Sequence, residues 1–358
     1  MVILVGLAIV PILLRWIMGD VQIDDKKKKW FLFLCGLCIA VIAGLRSKYV
    51  GTTDTLNYCT LYERAVRYSS LEKFLKSCNV LEKGLLVSEC LFYSFTFFCA
   101  KLFPETQFFI LITTMIITYS VMRFIYKHSH EVVLSVVMYV CLGLLTFNMN
   151  GMRQALAMSI CLFAFDFAKE KKLIPFLLIV LLAMLVHKTA IFFAIVYFVA
   201  QFKIDWKHMM LFVISIIAFL LLADRLAQIF DGLTDKNYSD VGAFETGGVV
   251  TVLIYILTIA FSLVFGWKNR KDGGFSFAIY LTILGLALYF GRYISTQIYE
   301  RMSYYFFYAV LLLLPQAVTM LKGKEKQVSI VVVNCLSILL FIYRLYGSVF
   351  QSFSFFWG

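Results

Sequence analysis

The chain has 358 residues, of which 62% are hydrophobic and only 15% charged, and its mean hydropathy is +0.87. Such a composition excludes a soluble globular fold, and apolar runs that do not alternate with polar residues exclude a membrane barrel; in lipid the backbone must satisfy its own hydrogen bonds, so the runs are helices. The net charge of +12, from 33 Lys+Arg against 21 Asp+Glu, marks the cytoplasmic loops of a membrane protein and implies no nucleic-acid partner.

The expected fold is therefore all-α: a polytopic integral membrane bundle of about 12–13 apolar helices forming one multi-pass domain over residues 1–358. The run from Met1 to Met18 lacks a basic start and a small-residue cleavage site, so it reads as a retained first helix and not as a signal peptide. Further spans are expected at 30–45, 84–103, 106–125, 132–147, 152–169, 173–187, 188–202, 209–223, 248–267, 275–291, 302–320 and 328–349. The runs 132–147, 173–187 and 188–202 are short for a crossing, which predicts tilted, broken or re-entrant segments there.

Lysine and arginine collect in alternate short loops, and this orients the chain. Lys26–Lys29, Lys169–Lys172, Lys203–Lys207, Lys268–Lys271 and Lys322–Lys326 are placed in the cytoplasm. Arg46, Arg153, His187, Arg292 and Arg301 then face the outer side, with loops at about 46–83, 224–247 and 292–301. An even number of crossings must join Lys83 to Arg153, yet three apolar stretches lie between them. Either one of the three is re-entrant or interfacial, or the long loop hides another crossing. The basic segment Arg123–His130 prefers the cytoplasm, which locates the discrepancy before it.

Four arginines at the outer ends of helices run against the usual charge bias, and each intramembrane cation costs about 2.5–3.5 kcal/mol unless compensated. An anionic ligand supplies the compensation, because guanidinium forks match phosphate oxygens and keep their charge. In the loop GLRSKYVGTTDTLNY, Gly51 to Asp54 read as a turn that opens a helix. Asp54 either caps that helix or stands as a carboxylate that orients or deprotonates a hydroxyl. His187 closes an apolar run and as a neutral imidazole can accept a proton near neutral pH. In GRYISTQIYERMSYYF, Arg292, Gln297, Glu300 and Arg301 lie among tyrosines including Tyr293 and Tyr304. These read as an interfacial belt or as stacking faces for a sugar, with Gln297 and Glu300 bonding its hydroxyls. Most of the nine cysteines lie in apolar runs as small buried hydrophobes, while Cys59 and Cys78 share a polar loop and can pair if it lies outside. No HExxH or outer-face DxD pattern argues for a metal, and no GxSxG for a hydrolase.

Taken together, Gly44–Arg46, Val50–Tyr58, Asn150–Ala157 with Arg153 and Gln154, His187–Ala190, and Glu300–Met302 with Tyr304–Phe306 resemble, in order, the EpsG-like, Wzy-type polysaccharide polymerases. One departure is a second threonine, Thr53, ahead of Asp54, where the family pattern reads Gly-Thr-Asp. The resemblance implies a glycosyltransferase of GT-C-like build acting at the outer (periplasmic) face of the bacterial cytoplasmic membrane, in capsule, exopolysaccharide or lipopolysaccharide O-antigen synthesis. It implies transfer of a growing glycan from a polyprenyl diphosphate, such as undecaprenyl diphosphate, to a sugar hydroxyl of a lipid-linked repeat unit, without metal or cofactor. Its partners would be the lipid-linked oligosaccharide, the bilayer and a chain-length regulator. On this reading Arg153, Arg292 and Arg301 hold the diphosphate with help from Arg46, Gln154 lines the site, and Asp54 or His187 acts on the acceptor. Two rivals share the donor: an O-antigen-ligase-type transferase and a lipid-linked oligosaccharide transporter.

Overall fold

The computed structural model describes residues 1–82, 89–234, 248–294 and 298–358. Among them the chain forms helices and no strand, apart from an isolated bridge between Arg46 and Phe355. Five single helices are long and apolar enough to cross a membrane, or up to seven if each of two bent pairs counts as one span. The protein is thus a multi-pass helical membrane protein. Its contacts divide it into two compact units, Met1–Ala164 with Leu177–Ile191 and Val328–Gly358, and Phe165–Phe176 with Phe192–Gln327.

The first unit begins with α1 (Val2–Met18) and α2 (Asp25–Gly44), the latter capped by Asp24, whose side chain accepts the Lys26 N–H. The expected long loop holds two polar helices, α3 (Thr53–Arg67) and α4 (Leu71–Ser77), followed by α5 (Cys90–Leu102) and α6 (Thr106–His128). Then come α7 (Val132–Cys141) and α8 (Leu144–Asn150), bent by 50° at Gly143. Gly143 has φ 93°, and a Cβ there would lie 2.9 Å from the Arg344 guanidinium. Arg344 itself donates to the Leu142 carbonyl at 2.8 Å, one of the acceptors that the break removes from the helical ladder.

Contacts between α2, α3, α5 and α6 bear on the crossing count. Of the run expected at 84–103, residues 84–88 lie outside the described ones; the helix that follows, α5, has 13 residues and spans about 20 Å at 1.5 Å per residue, against the roughly 30 Å of a hydrocarbon core. It lies along polar α3: the rings of Tyr58 and Phe92 meet at 5.7 Å, the Tyr62 hydroxyl donates to the Phe103 carbonyl, and Lys101 Nζ to that of Val66. Gln107 at the start of α6 donates to the carbonyl of Gly44, the last residue of α2, at 2.6 Å. The chain therefore enters α6 at the end where it left α2, with no net crossing between. The α6 helix and the bent α7–α8 pair are each long and apolar enough to cross a membrane, as the two crossings expected before Arg153 require.

The next helices, α9 (Met152–Lys169) and α10 (Leu173–Met184), each divide between the units. The expected crossing at 173–187 is a helix of only 12 residues, about 18 Å long, continued by a turn to His187. The expected span at 188–202 is a 3₁₀ helix over Lys188–Ala194 followed by α11 (Ile195–Val199), not a continuous α-helix.

In the second unit α12 (Trp206–Thr234) runs well into the expected loop at 224–247, the remainder of which lies outside the described residues. There follow α13 (Val249–Gly266), α14 (Gly273–Ile294), α15 (Ile298–Phe307) and α16 (Val310–Thr319). The last two are bent by 40°. Gly285 lets α14 approach α15, since a Cβ there would lie 2.7 Å from Phe307. Finally α17 (Gly323–Leu345) returns the chain to the first unit, where Phe356 N–H donates to the Leu45 carbonyl.

Candidate active site

The first two motifs of the sequence meet in space. Gly51 has φ 135°, a value open to glycine, and a Cβ at this position would lie 2.7 Å from Asn150 Oδ1 and 2.9 Å from Thr55 Oγ1. The same Asn150 oxygen accepts the Thr52 N–H at 3.0 Å, and Thr55 Oγ1 donates to the Met149 carbonyl at 3.3 Å. Thr52 is the N-cap residue of α3, and Thr53 opens the helix. Asp54 therefore stands half-buried in the first turn, two places past the cap.

Arg46 fastens this assembly from below. It is fully buried, and its guanidinium donates to the carbonyls of Ala43 and Met149 at 2.6 Å each and to Thr114 Oγ1 at 3.5 Å. One cation thus ties the end of α2 to α6 and to the end of α8. Burial lowers its pKa to about 10, so it remains charged at neutral pH. Its enclosed position makes it a support for the Met149–Asn150 turn.

Beside that turn lies a group that the sequence reading passed over. Glu89, the residue before α5, holds a left-handed backbone conformation at φ 54° and ψ 38°, costly for a residue with a Cβ and common where structure serves function. Its Oε2 lies 2.7 Å from Arg153 Nη1, and its Oε1 lies 2.5 Å from His187 Nδ1. The Lys188 N–H donates to the same Oε1 at 3.1 Å. Glu89 and His187 are each 6% exposed. Arg153 stands in the first turn of α9, where the helix dipole adds positive potential, with its guanidinium 5.5 Å from the centre of the Phe92 ring.

This arrangement fixes the histidine. Glu89 is an acceptor, so Nδ1 carries the hydrogen that bridges them, and the lone pair of the neutral ring is on Nε2. The carboxylate also stabilises any imidazolium formed, as in acid–base triads generally. With Glu89 ionised, Arg153 charged and His187 neutral, the cluster has no net charge; one proton on His187 makes it +1. A carboxylate alone at the edge of an apolar run was the signal that could have found Glu89, since intramembrane acids are functional by default.

The second unit has its own arginine cluster. Arg292 is 6% exposed and pairs with Glu300 Oε2 at 2.8 Å while donating to the Tyr289 hydroxyl at 2.8 Å. Its guanidinium lies 5.0 and 5.1 Å from the ring centres of Tyr289 and Tyr293. Gly291 allows the close packing, since a Cβ there would lie 2.9 Å from Tyr299. Arg301 is exposed, and half-buried Tyr304 packs edge-on against Phe307 at 5.8 Å. The structure thus joins Arg292, Glu300 and Tyr293 in one cluster, while Gln297 lies outside the described residues. In the first unit Gln154 is buried one residue from Arg153.

Cys59 is buried within α3, and Cys78 follows α4 with Arg64 Nη2 2.6 Å from its sulfur; both are free thiols here. Among the described residues no group of three His, Cys, Asp or Glu side chains converges as a metal site would require.

The sequence model of the EpsG family matches residues 29–356. No curated protein and no solved structure matches the chain.

Proposed function

The chain belongs to the EpsG family and is a membrane protein of polysaccharide-polymerase type, and from this premise we propose a specific reaction for it. It transfers a growing glycan from a polyprenyl-diphosphate carrier to a sugar hydroxyl of a lipid-linked repeat unit, on the outer face of the bacterial cytoplasmic membrane. The observation that supports this reading best is Glu89 held between His187 and Arg153.

In the proposed step His187 Nε2 removes the proton of the acceptor hydroxyl, an effect typically worth about 10²–10⁴ in rate. The hydroxyl oxygen bonds to the anomeric carbon of the donor as the bond from that carbon to the phosphate oxygen breaks. The electron pair leaves with the diphosphate. Attack in a single step inverts the anomeric centre. The cluster gains its positive charge as the proton arrives on His187, when negative charge is growing on the leaving group. Stabilisation timed in this way favours the transition state over the bound substrate.

Arg153 is the proposed phosphate-facing cation, with Arg46 acting through the turn that it holds. Asp54 and Gln154 flank the acceptor side. Arg292 and Arg301 of the second unit are proposed to hold diphosphate oxygens, and Tyr293, Tyr304 and Glu300 to contact sugar. The reaction as proposed needs no metal, and a chain-length regulator is its proposed protein partner.

Purified protein incubated with a lipid-diphosphate repeat unit should build a ladder of longer lipid-linked glycans. A Glu89→Gln variant should build it about 10²–10⁴ times more slowly at equal protein. Movement of unaltered units between leaflets without chain growth would identify a transporter instead, and transfer only to a non-repeat acceptor a ligase.

A further inference from the structure

A second feature of the first unit lies far from Glu89 along the chain's long helices. Between α2 and α6 runs an open groove of about 630 Å³. Its floor is made by small residues one turn apart on α2, Gly36 and Ala40, and by Met122 and Thr118 of α6. The helices are in close contact there, as a Cβ on Gly36 would lie 3.0 Å from Met122 Cγ. Its walls are exposed apolar groups, among them Phe33 at 57% and Tyr119 at 66%.

One end of the groove is strongly basic. Lys29, Arg123 and Lys127 line it, and a smaller cleft beside it is formed by Lys26, Lys29, Trp30 and Phe33. Lys28 and Lys29 also stand 5.1 and 5.5 Å from the Tyr126 ring centre. Both acids at the start of α2 are engaged: Asp24 accepts from the Lys26 backbone, and Asp25 binds Lys29 at 2.7 Å and the Tyr126 hydroxyl at 2.7 Å. The four lysines from 26 to 29, with Arg123 and Lys127, outnumber these two.

From this geometry we infer that the α2–α6 groove binds one anionic phospholipid. Its phosphate sits at the Lys29–Lys127 rim, and one acyl chain lies over Gly36 and Ala40. The dimensions agree: Lys29 to Ala40 is a helical rise of about 17 Å, close to half of the roughly 30 Å hydrocarbon core, the depth of one leaflet. A basic rim above an apolar trough selects an anionic headgroup over a zwitterionic one by about 1 kcal/mol per lysine, or about fivefold each.

The test uses the full-length protein in detergent, with phosphatidylglycerol, phosphatidylcholine of the same chains, or inorganic phosphate. Retention is read by native mass spectrometry and stabilisation by thermal midpoint. With two lysines at the rim, phosphatidylglycerol should be retained about 25-fold better than phosphatidylcholine, and phosphate alone should not raise the midpoint. The double variant Lys29→Gln with Lys127→Gln should remove most of that preference. An equal charge change at Lys268→Gln with Lys271→Gln, in the other unit, should leave it intact. Ala40→Phe, which fills the trough, should lower retention of both lipids. Equal retention of the two lipids by the unmodified protein overturns the inference even where a variant fails to fold. So does equal loss in both double variants, which would mark a general basic-rim effect, or stabilisation by phosphate alone, which would mark a simple anion site.

Discussion

Glu89 and His187 stand 98 residues apart in the chain, yet their side chains meet at 2.5 Å, Oε1 to Nδ1, at the point where Arg153 grips the other oxygen of the same carboxylate. The geometry makes Glu89 the hinge of the site. An acid with three donors directed at it serves as an orienting group, while the histidine that it holds keeps its far nitrogen for chemistry.

Replacement of that carboxylate separates its two tasks. Glu89→Gln keeps the side-chain shape but removes the charge and permits the wrong imidazole tautomer, so chain growth should fall by about 10²–10⁴. His187→Gln should fall by a similar factor and lose the acid limb of the pH–rate profile, the limb produced when protonation disables a base. Rates of chain elongation from pH 5 to 9 in both variants check this. A His187→Gln enzyme that keeps the acid limb would show that the base lies elsewhere, with Asp54 the next residue to test.

Removal of Arg153 should damage stability as well as rate. Arg153→Met leaves the buried Glu89 without its cation, and breaking a buried ion pair from one side costs about 3–5 kcal/mol. Adding Glu89→Gln to it should restore much of the thermal midpoint and none of the polymerisation. Arg153→Lys should keep the fold and lose most activity, because an ammonium cannot reproduce the guanidinium fork. Melting of all three variants in detergent, beside their ladders, checks the separation.

Arg46 predicts the opposite pattern. Its guanidinium is spent on carbonyls of α2 and α8, and charged hydrogen bonds contribute about 1.5–3 kcal/mol each. Arg46→Met should therefore lower the thermal midpoint more than any change at Arg301, which is exposed. Arg301→Ala should leave the midpoint unchanged and shorten or abolish the glycan ladder if that residue holds donor phosphate as proposed.

Gly51 tests the turn without altering any reactive group. Gly51→Ala places a Cβ against Asn150 and Thr55 at a φ of 135°, which should cost about 1–3 kcal/mol and loosen the start of α3. Limited proteolysis between residues 46 and 67 should accelerate, and chain growth should drop, although no proposed contact with substrate has been removed.

The helical, membrane-spanning character of this protein was legible from composition, because lipid leaves the backbone no other way to meet its hydrogen bonds. The motifs around Gly51, Asn150 and His187 stood out in the sequence because polar residues at apolar helix ends demand a reason. The same reading found that three apolar stretches before Arg153 could not all cross, though not which one failed. Contacts decided that: α5 lies along polar α3, and Gln107 reaches back to Gly44.

Sequence by itself thus determined the solvent this protein lives in and the helices that solvent imposes, and it singled out the polar residues proposed for its site. All of these follow from local composition and from the energy of each side chain in lipid. Tertiary structure alone decided that Glu89 joins Arg153 to His187, that Arg46 is a buried clamp, and that small residues on α2 open a groove against α6. Each of these depends on residues far apart in the chain coming within hydrogen-bonding or packing distance, and no local propensity encodes that distance.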